Sequence, residues 1–135
     1  MIDKILLEEQ DFINAALSGE NSSRKLLLSR IEECLATDNR SLIQEFFSRL
    51  PPADSARILE MLQPEQACAL IKFLQIRDQA AIFNYLEASF EARMARIMGR
   101  RELAKIVSAM SHDERADLFN RLTPEQQEEI LPALA

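Results

Sequence analysis

At 135 residues, 47% of them hydrophobic, the chain is long enough for one domain with a sizeable core. Its 22 acidic and 16 basic residues give a net charge of −6, which argues against nonspecific nucleic-acid binding through a basic surface. No apolar run approaches the roughly 18–20 residues of a membrane span, and the opening segment, with Asp3, Glu8, Glu9 and Asp11, does not read as a signal peptide.

The first helical segment runs from about Ile2 to Leu17, with Ile5, Leu6, Phe12, Ile13, Ala16 and Leu17 facing inward. The polar run Ser18-Gly19-Glu20-Asn21-Ser22-Ser23 then reads as a turn. A second helix, from about Ser23 to Ala36, presents Leu26, Leu27, Leu28, Ile31 and Leu35. It closes at Thr37-Asp38-Asn39, whose side chains can cap a helix beginning near Ser41. Residues 1–40 thus form a helical lead-in, and the polar outer face of the first helix suits it to cap the end of a stacked array.

From residue 41 to 135 a large apolar residue recurs every twelve positions: Leu50, Leu62, Leu74, Leu86, Met98, Met110, Leu122 and Leu134. Pairs such as Phe46/Phe47, Ile58/Leu59, Leu70/Ile71, Ile82/Phe83 and Ile106/Val107 precede each anchor by four and three positions, the stripe of a short amphipathic helix. Six positions before the anchors stand Ala56, Cys68, Ala80, Ala92, Ala104 and Ala116, small residues where helices can approach closely. Helices this short do not persist alone in water, so the repeat implies an all-α solenoid of about eight to ten helices stabilised by neighbour packing. Pro52, Pro64 and Pro124 fall where a first helical turn accepts proline. Ser111 with Glu114, and Thr123 with Gln126, have capping-box spacing. Gly99 directly after Met98 suits a helix C-terminus. No proline or glycine lies between Leu74 and Met98, leaving two units there free to run together.

The chain offers little for catalysis. Its one histidine, His112, sits at a helix start and reads as a solvent-exposed turn residue; no Cys/His spacing matches a zinc site and no glycine-rich loop could cradle phosphate. Cys34 and Cys68 fall in apolar helical patterns and read as buried thiols. Met61, Met94, Met98 and Met110 have core spacing. Arg93, Arg96, Arg100, Arg101 and Lys105 form a basic stretch, followed by the acidic Asp113, Glu114, Asp117, Glu125, Glu128 and Glu129; the plain reading is solvated helix faces, the alternative a partner docked on the basic ridge. Asp113 and Asp117, at i and i+4, place two carboxylates on one helix face, a donor pair suited to a hard ion that keeps its waters. The helix dipole accounts for Asp113 without any ion, and for Asp117 less well.

The strings Leu50-Pro51-Pro52-Ala53-Asp54-Ser55-Ala56-Arg57-Ile58-Leu59, Leu62-Gln63-Pro64-Glu65-Gln66-Ala67 and Met110-Ser111-His112-Asp113-Glu114-Arg115-Ala116-Asp117-Leu118-Phe119-Asn120-Arg121-Leu122-Thr123-Pro124-Glu125 resemble the cytoplasmic N-terminal domain of MgtE-type magnesium transporters, over about residues 42 to 134. The resemblance implies a right-handed superhelix of short α-helices, normally followed by tandem CBS domains and a membrane channel that conducts Mg²⁺ as a homodimer. It further implies a location on the cytoplasmic side of the inner membrane, regulation rather than enzymatic activity, CBS domains of the same full-length chain as partners, and weak Mg²⁺ binding at Asp113 and Asp117, shared with a domain beyond this chain. Where family members can supply another acidic ligand two repeats earlier, this chain has Ala80-Ala81. A related helical module occurs in the flagellar motor-switch protein, whose resemblance implies a protein-binding adaptor instead.

Overall fold

A computed structural model describes residues 10–134, in which nine α-helices and no strand are found. They are α1 (Gln10–Leu17), α2 (Asn21–Ala36), α3 (Arg40–Ser48), α4 (Pro52–Leu59), α5 (Pro64–Ile71), α6 (Ile76–Phe83), α7 (Ala88–Ser108), α8 (His112–Arg121) and α9 (Pro124–Leu134). Of the inward-facing residues expected in the lead-in, Ile13 and Ala16 are buried and Leu17 packs partly against the core. Ile2, Ile5, Leu6 and the side chains of Phe12 and Leu134 lie outside the described residues. In α2, Leu27 and Ile31 are buried, Leu28 and Leu35 are half-buried, and Leu26 faces solvent.

Six of the eight twelve-residue anchors are buried and stand just past the helices rather than within them; Met98 is half-buried inside α7. Leu50, Leu62, Leu74, Leu86, Met110 and Leu122 each donate their backbone N–H to the carbonyl three residues back, on Phe47, Leu59, Ile71, Phe83, Val107 and Phe119, at 3.0–3.3 Å. An i to i−3 bond tightens the last turn and satisfies one carbonyl that a short helix leaves open, while the apolar side chain folds back onto the core. The anchor therefore both ends its helix and packs it.

Proline opens α4, α5 and α9 at their first residues, as the sequence implies. Both expected capping boxes form: Ser111 N–H donates to Glu114 Oε1 at 2.8 Å and Glu114 N–H to Ser111 Oγ at 3.1 Å, with the Thr123/Gln126 pair matching at 2.9 and 3.3 Å. The units between Leu74 and Met98 do not run together, because α6 and α7 are separated by a turn at 84–87. Polar side chains replace proline there: Glu87 accepts from Ser89 N–H at 3.2 Å and donates its own N–H to Glu60 Oε2 at 2.7 Å. Helical continuity does break at Gly99, with φ 83° and ψ 173°.

Helix α1 packs on α2 and α4, α2 on α3, α4 on α5 and α6, α5 and α6 on α7, and α7 on α9. Contact between next-but-one helices is compatible with the expected solenoid. The small-residue column lets it happen, since Ala56, Cys68, Ala80 and Ala92 are all buried; Ala104 is half-buried and Ala116 exposed, so the close approach ends before α8. Cys34 is buried, and Cys68 donates its thiol to the Met94 carbonyl at 3.5 Å, with burial pushing its pKa up to about 11. Met94 and Met110 are buried while Met61 and Met98 are half-buried, all used as packing.

Two substitutions test this architecture. Leu74→Asp puts an uncompensated carboxylate where a 7% exposed leucine closes α5, and is expected to remove about 4 kcal/mol of stability; thermal unfolding followed by circular dichroism should show a midpoint lower by at least about 10 °C. Gly99 has open space beside it but a backbone conformation that only glycine adopts readily, so Gly99→Ala should lose about 1–3 kcal/mol from strain alone. Chemical denaturation of the two proteins side by side reads that difference.

Candidate functional site

The acidic pair lies on α8, whose start is fixed by the Ser111/Glu114 box. His112, Asp113 and Asp117 are all exposed, so the histidine is the solvent-facing first-turn residue expected and the two carboxylates reach water freely. Asp113 and Glu114 occupy the first turn, where the helix N-terminus favours negative charge. Asp117 lies a turn deeper, on the wall of a depression of about 270 Å³ that it shares with Asn84, Asn120 and Arg121. Asp113 does not line it. The lining of the depression includes Asn84, whose side-chain oxygen is buried with no hydrogen-bond partner. Among the described residues no three His, Cys, Asp or Glu side chains converge to hold a metal. Asp113 and Asp117 offer exposed carboxylate oxygens, hard donors of the kind a divalent cation takes. Ala80 is buried in the core, and neither it nor Ala81 carries a side-chain oxygen.

Beneath this face sits a feature that the chain's charge pattern did not disclose. Glu91, on the first turn of α7, is only 1% exposed, and neither carboxylate oxygen has a hydrogen-bond partner. The Arg121 guanidinium approaches it at 3.4 Å. Arg121 also donates from Nη1 to the carbonyls of Asn84 at 2.7 Å and Leu86 at 3.4 Å, and from Nε to that of Asp117 at 3.3 Å. Desolvation outweighs the nearby guanidinium and pushes the Glu91 carboxyl up to about 8. The twelve-residue register carried a partial signal for it: Glu91 falls in line with Ile43, Ser55, Ala67 and Leu103, which are buried, and with Gln79, Arg115 and Gln127, which are half-buried.

Elsewhere, α3, α4 and α6 enclose a cleft of about 540 Å³ with Phe47, Leu50, Leu74 and Ile82 on its walls and the buried, unpaired hydroxyl of Ser55 within. Arg93, Arg96, Arg100, Arg101 and Lys105 are all exposed, on both sides of the Gly99 break, and Lys105 pairs with Glu102 at 3.6 Å.

Short helices closed by buried anchors, with one exposed acidic helix near the end, make this an all-α helical-repeat domain. The family model described as the MgtE intracellular N domain matches residues 50–135, well over half of the chain, and the chain belongs to that family. The match starts at the first anchor, Leu50, and leaves out residues 42–49. No curated protein and no solved structure shows significant similarity. No described helix is long and apolar enough to cross a membrane.

The buried carboxyl gives a pH prediction. A glutamate that titrates at 4.5 when unfolded and at about 8 when folded binds more protons in the folded state throughout that interval, so its contribution to stability falls as pH rises from about 4.5 to about 8. Glu91→Gln should flatten the decline, measured as the difference in melting temperature between pH 5 and pH 8 in otherwise identical buffers.

Proposed function

We propose that this domain is a regulatory, non-enzymatic part of a magnesium transporter on the cytoplasmic side of the membrane, and that it senses Mg²⁺ through Asp113 and Asp117. The reading rests on the carboxylate pair at helical spacing on the exposed face of α8, within the segment that matches the family. Its partners are CBS domains of the same full-length chain, which forms a homodimer. A divalent ion held between acidic faces of two domains replaces repulsion with attraction, so the closed arrangement is populated when Mg²⁺ is plentiful. Two carboxylates on one helix are half a site, and the isolated domain is expected to bind no tighter than about millimolar. Titrating Mg²⁺ into isotope-labelled domain should move amide resonances between Ser111 and Leu118. Asp113→Asn combined with Asp117→Asn should abolish those shifts and keep the fold; equal shifts in the double variant, or shifts centred elsewhere, would remove this pair from consideration.

The exposed basic ridge around Arg100 favours a second reading, an adaptor that docks an acidic protein face, with Ile97, 45% exposed, lying among the basic side chains. Under that reading Arg100→Glu with Arg101→Glu abolishes a salt-sensitive complex, whereas the Mg²⁺ response of α8 is unchanged.

A further inference from the structure

The helix that carries the acidic pair is lightly held by apolar packing. Of the ten residues of α8 only Leu118 is buried, whereas α3, α4 and α5 each bury four. A single leucine is a thin attachment for three turns of helix, so what fixes the azimuth and tilt of α8 has to be polar. Gln127 of α9 holds the Phe119 carbonyl at one end, and a single arginine ties the helix to the α6–α7 side. The Arg121 guanidinium leaves the last turn of α8 and reaches the carbonyls of Asn84 and Leu86, which end α6 and lead into α7, and then the buried carboxyl of Glu91. Its Nε bonds the carbonyl of Asp117, which ties the latch to the same turn of helix that bears the exposed carboxylate.

We propose that Arg121 is the positioning residue of α8, a latch that docks the acidic helix on the α6–α7 corner and can release it. The seat is built to be reversible. Two backbone carbonyls both accept from Nη1 of the guanidinium while Nη2 faces Glu91, but both Glu91 oxygens and the Asn84 side-chain oxygen remain without hydrogen-bond partners. A fully satisfied polar network rigidifies its surroundings; one with orphaned oxygens gives up less when it opens, because water then reaches them. With the latch seated, Asp113 and Asp117 are presented in one fixed orientation. With it open, α8 keeps Leu118, its two flanking anchors Met110 and Leu122, and the Gln127 amide on the Phe119 carbonyl at its C-terminal end, and the pair loses that orientation. Resting on the reading that α8 takes up Mg²⁺, the latch sets affinity, because a ligand that binds only the docked form is weakened by the fraction of time the helix is undocked.

Native-state amide hydrogen exchange by NMR on the whole domain, with and without Mg²⁺, tests this in Arg121→Ala and Arg121→Lys. In Arg121→Ala, amides of α8 should lose about tenfold or more in protection while those of α3 to α6 hold theirs. Arg121→Lys keeps the charge beside Glu91 but has one nitrogen in place of the three that meet the carbonyls, the carboxyl and Asp117, and should fall between the wild type and the alanine variant. The Mg²⁺ concentration at half-shift of the α8 resonances should rise in the same order, with Asp113 and Asp117 untouched. Loss of protection in α8 and α3–α6 together would mean that Arg121 merely supports the fold, and unchanged protection in α8 would mean that it does not hold the helix; either result overturns the proposal. Should Arg121→Ala fail to fold, the lysine variant decides by the same comparison. A wild-type α8 that ignores Mg²⁺ would count against the ion reading alone, and the exchange pattern would still judge the latch.

Discussion

A protein in which six of the nine described helices have only eight to ten residues is dominated by its helix ends. Every α-helix leaves its first N–H groups and last carbonyls without partners inside the helix, and in a unit this short those orphans are nearly as numerous as the bonds within. The chain meets this in a consistent way. Anchors such as Leu62 and Leu74 close the last turn with their own N–H groups and bury their side chains in the same movement. Side chains from elsewhere take further carbonyls: Arg57 that of Leu17, Gln44 that of Phe73, Gln79 that of Leu74, and Gln127 those of Phe119 and Leu122. Most of these donors stand on a different helix from the carbonyl they take, so satisfying the ends also joins the units.

Arg121 belongs to this set and departs from it. Like Arg57 and Gln44, it caps carbonyls across a helix junction, but it alone of these donors also lies against a buried carboxyl. Arg57 and Gln44 act away from α8, where more apolar side chains are buried. Arg121, with Gln127 from α9, holds a helix that buries only one, and the difference turns a capping interaction into the main determinant of where α8 sits.

The molecule thereby divides into parts of unlike stiffness. From α3 to the first half of α7 the core is continuous, with Phe46, Ile58, Leu70, Phe83 and Met94 fully or almost fully buried and small residues at the crossings. Beyond Gly99 the close-packed column thins, and the acidic pair rides on the sparsely buried helix that follows. A rigid body bearing a lightly held charged helix suits a module that answers an ion by changing how it meets a neighbouring domain, since only the light part has to move.

The sequence by itself determined the helical class, the twelve-residue unit, the proline-led starts, both capping boxes and the break at Gly99, because each is written in residues adjacent along the chain and obeys local sterics or local hydrogen bonding. Local pattern also placed Asp113 and Asp117 on one helix face, yet it could not say that only Asp117 would border a depression with Asn84 and Asn120. It misjudged the stretch from Leu74 to Met98, where Glu87 ends the ambiguity by binding Glu60, a partner 27 residues away. The pairing of Glu91 with Arg121 spans a comparable distance. A carboxylate in the buried register looks like any surface acid until folding removes water from it, and what it then meets is fixed by how α6, α7 and α8 converge. Desolvation and long-range contact exist only in the packed state, and for that reason tertiary structure alone decided them.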